Sequence, residues 1–265
     1  MEWCGTQWPS EEPDLLRLQR ALARDAASAL ATAPWRLPTD PLVCGCFVAF
    51  ATGGPGAGQT GDPAWAAAVA WRPSSVRAVD RPPVRRADQT LRGRHAEDGP
   101  RRASDVVDQV VVVDRARAPY RAGLLALREG PILERVVRGL RELPDVLLVD
   151  ATGLDHPRGA GLAIHLGAVT GVPSVGATHR PLVAVGTLPA PVRGATSPAA
   201  LDGRIVGQWT CTKTGARPVL AHAGWRTDPD TAAALVLAVS TLAARTPVPL
   251  QEARRVAREA RTLGR

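Results

Sequence analysis

Pro144-Asp-Val-Leu-Leu-Val-Asp150 holds an unbroken apolar run, Val146 to Val149, bounded by a proline and a carboxylate. A run without alternation is the profile of a strand covered on both faces, which belongs in the middle of a sheet flanked by helices. Asp150 then falls at the strand's exit, the edge where α/β proteins build their sites. Toward the N-terminus, Gly123 to Leu140 repeats helically through Leu124, Leu127, Ile132, Val136 and Leu140, and Pro131 kinks this helix or starts a new one. Val106 to Val113 is a valine-dense strand ended by Asp114 to Pro119. Leu42 to Phe50 and Ala64 to Trp71 flank the Gly-rich turn Ala51 to Pro63, which makes them a hairpin of antiparallel strands. Pro13 to Ala31 reads as a helix, because Leu15, Leu16, Leu18, Leu22, Ala26 and Leu30 line one face after an acidic first turn. Toward the C-terminus, helices are expected at Gly159 to Val169, Thr231 to Ala243 and Gln251 to Leu263, and strands at Val172 to Gly176, Ile205 to Thr210 and Val219 to Ala221. Strands first and alternation afterwards predict an α/β fold with a mixed sheet flanked by helices.

The chain has 265 residues with 45% hydrophobic and 22% charged, enough for a substantial buried core. No apolar run reaches the roughly 18 residues of a membrane helix, which argues against a membrane partner. Met1 to Ser10 lacks a basic start and a long apolar stretch, so a secretory signal is not expected and the cytoplasm is the expected location. Cys4, Cys44, Cys46 and Cys211 are too few and too irregularly spaced for a disulfide framework or a zinc site, and read as buried thiols. Basic residues number 33 against 25 acidic, a net charge of +8, and Lys213 is the lone lysine. That balance favours anionic partners, nucleic acid among them, although a GC-rich genome also enriches arginine. Residues 1–12 form an N-terminal segment with Trp3 and Trp8, and 13–265 one domain interrupted at about 73–104 by an arginine-rich insertion. The insertion reads as a solvated loop or as a basic arm tracking phosphates.

Two carboxylates stand out by position, Asp150 at the strand exit and Glu129 in a helix with an otherwise apolar face. Converging carboxylates hold hard divalent cations such as Mg²⁺, which bridge to substrate phosphate. The plainer alternatives are an ion pair of Glu129 with Arg128 or another arginine, and a cap or turn role for Asp150. After Asp150, a Gly-rich turn is expected to feed a helix beginning near Pro157, whose free amide protons attract anions, with His156 and Arg158 adding donors. His165, set among Ala163, Ile164 and Leu166, reads as a satisfied core histidine.

Three motifs in order, Pro119-Tyr-Arg-Ala-Gly-Leu-Leu-Ala-Leu-Arg-Glu129, Pro144-Asp-Val-Leu-Leu-Val-Asp150, and Gly153-Leu-Asp-His-Pro-Arg158 with Val172-Pro-Ser-Val-Gly176, resemble the endonuclease V family over roughly Leu42 to Ala243. The resemblance implies a ribonuclease-H-like fold. It also implies Mg²⁺-dependent cleavage, with Mn²⁺ as a substitute, of the second phosphodiester bond 3′ to a deaminated base, chiefly inosine, in DNA or RNA. Glu129 and Asp150 would be metal ligands, Tyr120 part of a wedge beside the lesion, Gly123 its turning point, and Gly153 a neighbour of the flipped-base pocket. The chain departs from the family where a strand aspartate is expected, since Gly45-Cys-Phe-Val-Ala-Phe50 places Phe47 there. His179 stands at the family's lysine and Trp225 at its later histidine. Phenylalanine has no oxygen to offer, so impaired cleavage is expected, with a catalytically silent nucleic-acid-binding homologue as the alternative. His179 donating to phosphate, or Asp155, Asp228 or Asp230 reaching the metal, are possible compensations.

Overall fold

The computed structural model describes residues 8–51, 58–73 and 105–264. The residues N-terminal to Trp8, with Trp3 and Cys4, and nearly all of the arginine-rich insertion lie outside the described residues. In chain order the elements are α1 (Glu12–Thr32), β1 (Val43–Phe50), β2 (Pro63–Trp71), β3 (Val106–Arg115), α2 (Leu125–Arg138), β4 (Val146–Val149), α3 (Leu162–Thr170), β5 (Ser174–Thr178), β6 (Thr196–Leu201), β7 (Arg204–Thr210), β8 (Val219–Ala223), α4 (Pro229–Ala238) and α5 (Val248–Leu263). The strands form one mixed sheet in the order β3-β2-β1-β4-β5-β8-β7-β6. β1, β4 and β5 are parallel to one another at its centre, and antiparallel strands extend it on both sides.

β4 occupies the position its uninterrupted apolar run predicts. Leu147 and Val149 point into a core shared with α2 and α3, while Val146 and Leu148 point into one shared with α4 and α5. Each of the four is at most 1% exposed, and each such burial stabilises the fold by roughly 1.5–3 kcal/mol. The hairpin of β1 and β2 also forms, in antiparallel register from Val43↔Trp71 to Phe50↔Ala64.

Three readings are corrected. Pro131 does not start a new helix, since one α-helix runs from Leu125 to Arg138 through it. α3 begins at Leu162, later than the expected start near Pro157, because Gly159 takes a left-handed φ of +71° and Gly161 lies against the Thr152 carbonyl. His156, Pro157 and Arg158 therefore sit in a turn and not at a helix N-terminus. β6 was not expected from its sequence: Thr196-Ser-Pro-Ala-Ala-Leu201 contains Pro198, which is tolerated because the strand lies at the sheet edge.

One close approach fixes α5 on the sheet. A Cβ at Gly45 of β1 would lie 2.1 Å from the Pro249 carbonyl oxygen in the first turn of α5. Val256 and Ala257 of the same helix then cover Ala49, Ala67 and Val69, with Phe47 packed alongside. Gly45→Ala is expected to destabilise the protein by about 3 kcal/mol, read as the shift in a denaturant unfolding curve.

Candidate functional site

Parallel β1 and β4 pair from Val43↔Val146 to Cys46↔Val149, and the Asp150 amide, just past the end of β4, donates to the Cys46 carbonyl within β1 at 3.3 Å. α2 reaches the same edge, and Glu129, Asp150, Phe47, Tyr120 and Gly123 together line one cleft of about 470 Å³. The two carboxylates, far apart in sequence, are thus neighbours. Burial, followed by repulsion from Asp150, pushes the Glu129 carboxyl up to about 8, against a smaller opposing pull from Arg128. Arg128 is not the partner of Glu129. Its guanidinium donates to the carbonyls of Gln59 at 2.9 Å and Ala118 at 2.8 Å and to Asp62 Oδ2 at 2.9 Å, and it lies 4.0 Å over the Phe50 ring. The hydrogen bond from Arg128 and another from the Gln59 amide hold the Asp62 carboxyl below its ordinary range.

Asp150 has a partner that the sequence did not reveal. Arg254 of α5 donates to its Oδ2 from Nε at 3.1 Å and from Nη2 at 2.8 Å. The same guanidinium stands 5.6 Å from the centre of the Phe47 ring, and that of Arg258 stands 5.8 Å away.

Tyr120 is 48% exposed at the cleft, and its amide donates to the Gly58 carbonyl at 3.1 Å. The loop turns at Gly123, whose φ of +78° suits glycine. The Gly123 carbonyl accepts from Arg158 Nη2 at 2.8 Å, His156 Nε2 at 3.0 Å and Gln19 Nε2 at 3.2 Å. Burial pushes His156 down to about 4, so the ring is neutral. With Nδ1 accepting from the Arg158 amide, Nε2 carries the proton that the carbonyl receives. His156 and Arg158 thus both hold the carbonyl of the Tyr120 loop, and His156 also lines the cleft.

Gly153 also has a packing reason for its identity, since a Cβ there would lie 1.9 Å from the Ala223 carbonyl. It sits behind the cleft wall formed by Ala151 and Thr152. His179 lies close enough to Asp150 to feel its charge, but burial and then Arg245, Arg254 and Arg217 lower its pKa. Its charged form is thereby disfavoured, unlike that of a lysine. Trp225 is 7% exposed and packs into the core with Leu22, Ala26 and Ile164.

The three possible compensating aspartates are engaged elsewhere. Asp155 accepts from the amides of Leu182, Val183 and Ala184, Asp228 caps α4 through the Thr231 amide, and Asp230 accepts from Gln208. His165 is fully buried in the core, with Trp8 stacked at 4.0 Å between ring centres, but it is not satisfied, since neither ring nitrogen has a hydrogen-bond partner among the described residues. Cys44, Cys46 and Cys211 are buried free thiols.

The magnesium ion implied by the resemblance would need carboxylate oxygens free to face it. Among the described residues no group of three or more His, Cys, Asp and Glu side chains could hold a metal ion. Phe47 supplies no donor, and a dication beside Asp150 would have to displace the Arg254 guanidinium from Oδ2. The described side chains at this edge thus offer a divalent ion two carboxylates, one of them held by a guanidinium, and no third acidic, histidine or cysteine donor. Glu129 and Asp150 share the cleft as expected, with one oxygen of Asp150 held by Arg254.

A central parallel strand ending in an acidic residue, a helical glutamate beside it and an exposed aromatic loop at the same sheet edge define an α/β protein of the ribonuclease-H-like class. The sequence profile described as Endonuclease V matches residues 100–255. An Endonuclease V of Roseiflexus castenholzii is 33% identical over 207 residues, covering 78% of this chain and 81% of that protein. An Endonuclease V of Roseiflexus sp. (strain RS-1) is 39% identical over 137 residues, which cover 52% of this chain and 62% of that protein. The crystal structure of the Endonuclease V of Streptomyces avermitilis superposes with a TM-score of 0.74 at 27% identity, covering 98% of this chain and 97% of that one. The same fold, at 15% identity and a TM-score of 0.69, occurs in Ciona intestinalis Endonuclease V in complex with a DNA 24mer containing an inosine, with 96% of this chain and 98% of that one covered. This chain belongs to the endonuclease V family.

The raised Glu129 pKa has a consequence for stability. The folded state holds this proton between pH 4.5 and about 8 while the unfolded chain releases it, so the contribution is complete below pH 4.5 and lost by about pH 8. Glu129→Gln is expected to gain stability relative to the parent as pH rises from 5 to 8.5. Denaturant unfolding at the two pH values reads that difference.

Proposed function

We propose that this chain acts on nucleic-acid strands, DNA or RNA, containing a deaminated base, inosine foremost, as an endonuclease V whose phosphodiester cleavage is impaired. The observation carrying this reading is the exposed Tyr120 beside a cleft with Glu129 and Asp150 in its lining. An aromatic side chain beside a cleft suits wedging into a base stack while the displaced base enters the recess. The anchored Gly123 carbonyl keeps that wedge from folding back. Arg121 and Arg180, both in the cleft lining, suit backbone phosphates flanking the displaced base.

The impairment follows from Phe47 and Arg254. Hydrolysis of a phosphodiester needs charge stabilisation on the phosphate oxygens and an activated water, each worth orders of magnitude in rate. A side chain without oxygen and a carboxylate held by a guanidinium remove the means of supplying both at this edge. The same pairing favours a second reading, a silent homologue that binds the lesion without cutting.

Fluorescence anisotropy with labelled strands differing only in one inosine tests recognition. Preference for inosine is expected, with Tyr120→Ala weakening it about tenfold, as loss of one stacked base contact implies. Slow product at enzyme excess with Mn²⁺, accelerated in Phe47→Asp, supports impaired cleavage; inosine preference with no product from either protein selects the silent homologue. Binding indifferent both to inosine and to Tyr120→Ala overturns the proposal.

A further inference from the structure

We propose that Arg254 is a phosphodiester-binding residue, holding the backbone of the bound strand with its guanidinium at the edge where a metal ion would otherwise be expected, so that strand binding needs no divalent cation. This rests on the reading of the cleft as a nucleic-acid site. Arg254 is oriented by two N–H groups on one oxygen of Asp150, with a longer contact from Nη1 to Thr246 Oγ1 at 3.4 Å. A guanidinium has further N–H groups in the same plane, which suit two phosphate oxygens. The pair is neither sealed nor fully solvated, the side chains of Arg254 and Asp150 being 19% and 22% exposed. That leaves an approach for a ligand while weakening competition from water.

The surroundings favour an anion. Arg217, Arg245 and Arg254 all act on His179, the chain neighbour of the cleft-lining Thr178 and Arg180. Two nitrogens there are buried without a hydrogen-bond partner, Nδ1 of His179 and Nε of Arg245. Along α5, Arg254, Arg258 and Arg261 recur at spacings of four and three, the spacing of one helix face. Arg255, off that row, is held by Glu252 and Glu259, whereas Arg258 is exposed and has no acidic partner among the described residues. Arg254 and Arg258 flank Phe47, and Arg261 donates to the Phe50 carbonyl at 3.0 Å, so the row follows the end of β1. A strand leaving the cleft over Phe47 meets these guanidinium groups in succession. Phe47 gives them a ring to lie against in place of a carboxylate that would consume their charge.

The test is binding of a labelled inosine-containing single strand to the full chain in EDTA, across a range of salt. Tight binding is expected in EDTA, unchanged when Mg²⁺ replaces the chelator. Arg254→Gln is expected to weaken binding about tenfold and to reduce the salt slope of log K by about 0.7, the effect of one phosphate contact on a single strand. Arg255→Gln is expected to change neither. Because Arg254→Gln leaves Asp150 without its partner, the parent protein is also tested with strands bearing one neutral methylphosphonate at successive positions. One position is expected to reproduce the loss, and Arg254→Gln to show no further loss there. The inference is overturned if EDTA abolishes binding, if Arg254→Gln matches the parent in affinity and salt slope, or if no neutral linkage matters. Should inosine preference persist in any of these cases, only the role of Arg254 fails; should preference be absent throughout, the reading of the cleft fails with it.

Discussion

Gly45 has space for a hydrogen and nothing larger, and that constraint seats α5 on the sheet. With the Pro249 carbonyl 2.1 Å from where a side chain would begin, the helix starts in direct contact with the backbone of β1. Helical geometry then carries Arg254 one turn further, to the height of Phe47 and the exit of β4. Close packing of a helix on a strand and the chemistry at the sheet edge are therefore one arrangement, and a change that lifted α5 would also unfasten Asp150 from its cation.

Much of this architecture is legible in the residues themselves, and the reasons for the rest are specific. Val146 to Val149 matches β4 residue for residue, because burial on both faces leaves no position where polarity is tolerated. The hairpin and α1 fall within a residue or two of the expected bounds. α3 starts late because backbone contacts of Gly159 and Gly161 decide the local path, and these involve chain neighbours that periodicity does not include. β6 is hidden by Pro198, which only an edge position accommodates.

The site is legible to a different degree. Glu129 and Asp150 come together at one cleft, and Tyr120 is exposed beside them. Roles are harder to read than positions. His156 and Arg158 look like ligands for an anion, and nothing in their sequence shows that both also secure a carbonyl, as the turn that brings them toward α1 allows. Arg254 gives no signal at all, because an arginine on an amphipathic helix looks like part of a solvated face. Arg128 likewise resembles the partner of its neighbour Glu129 until Asp62 and Phe50 are brought up from the hairpin.

Asp155 is completely buried, and its carboxylate receives three successive backbone amides, those of Leu182, Val183 and Ala184. Leu182 also lines the cleft. This stretch is thus fastened from beneath before any ligand arrives, and its conformational entropy is surrendered during folding. A partner entering the cleft meets a preorganised wall, and the energy of contact is not diverted into arranging it.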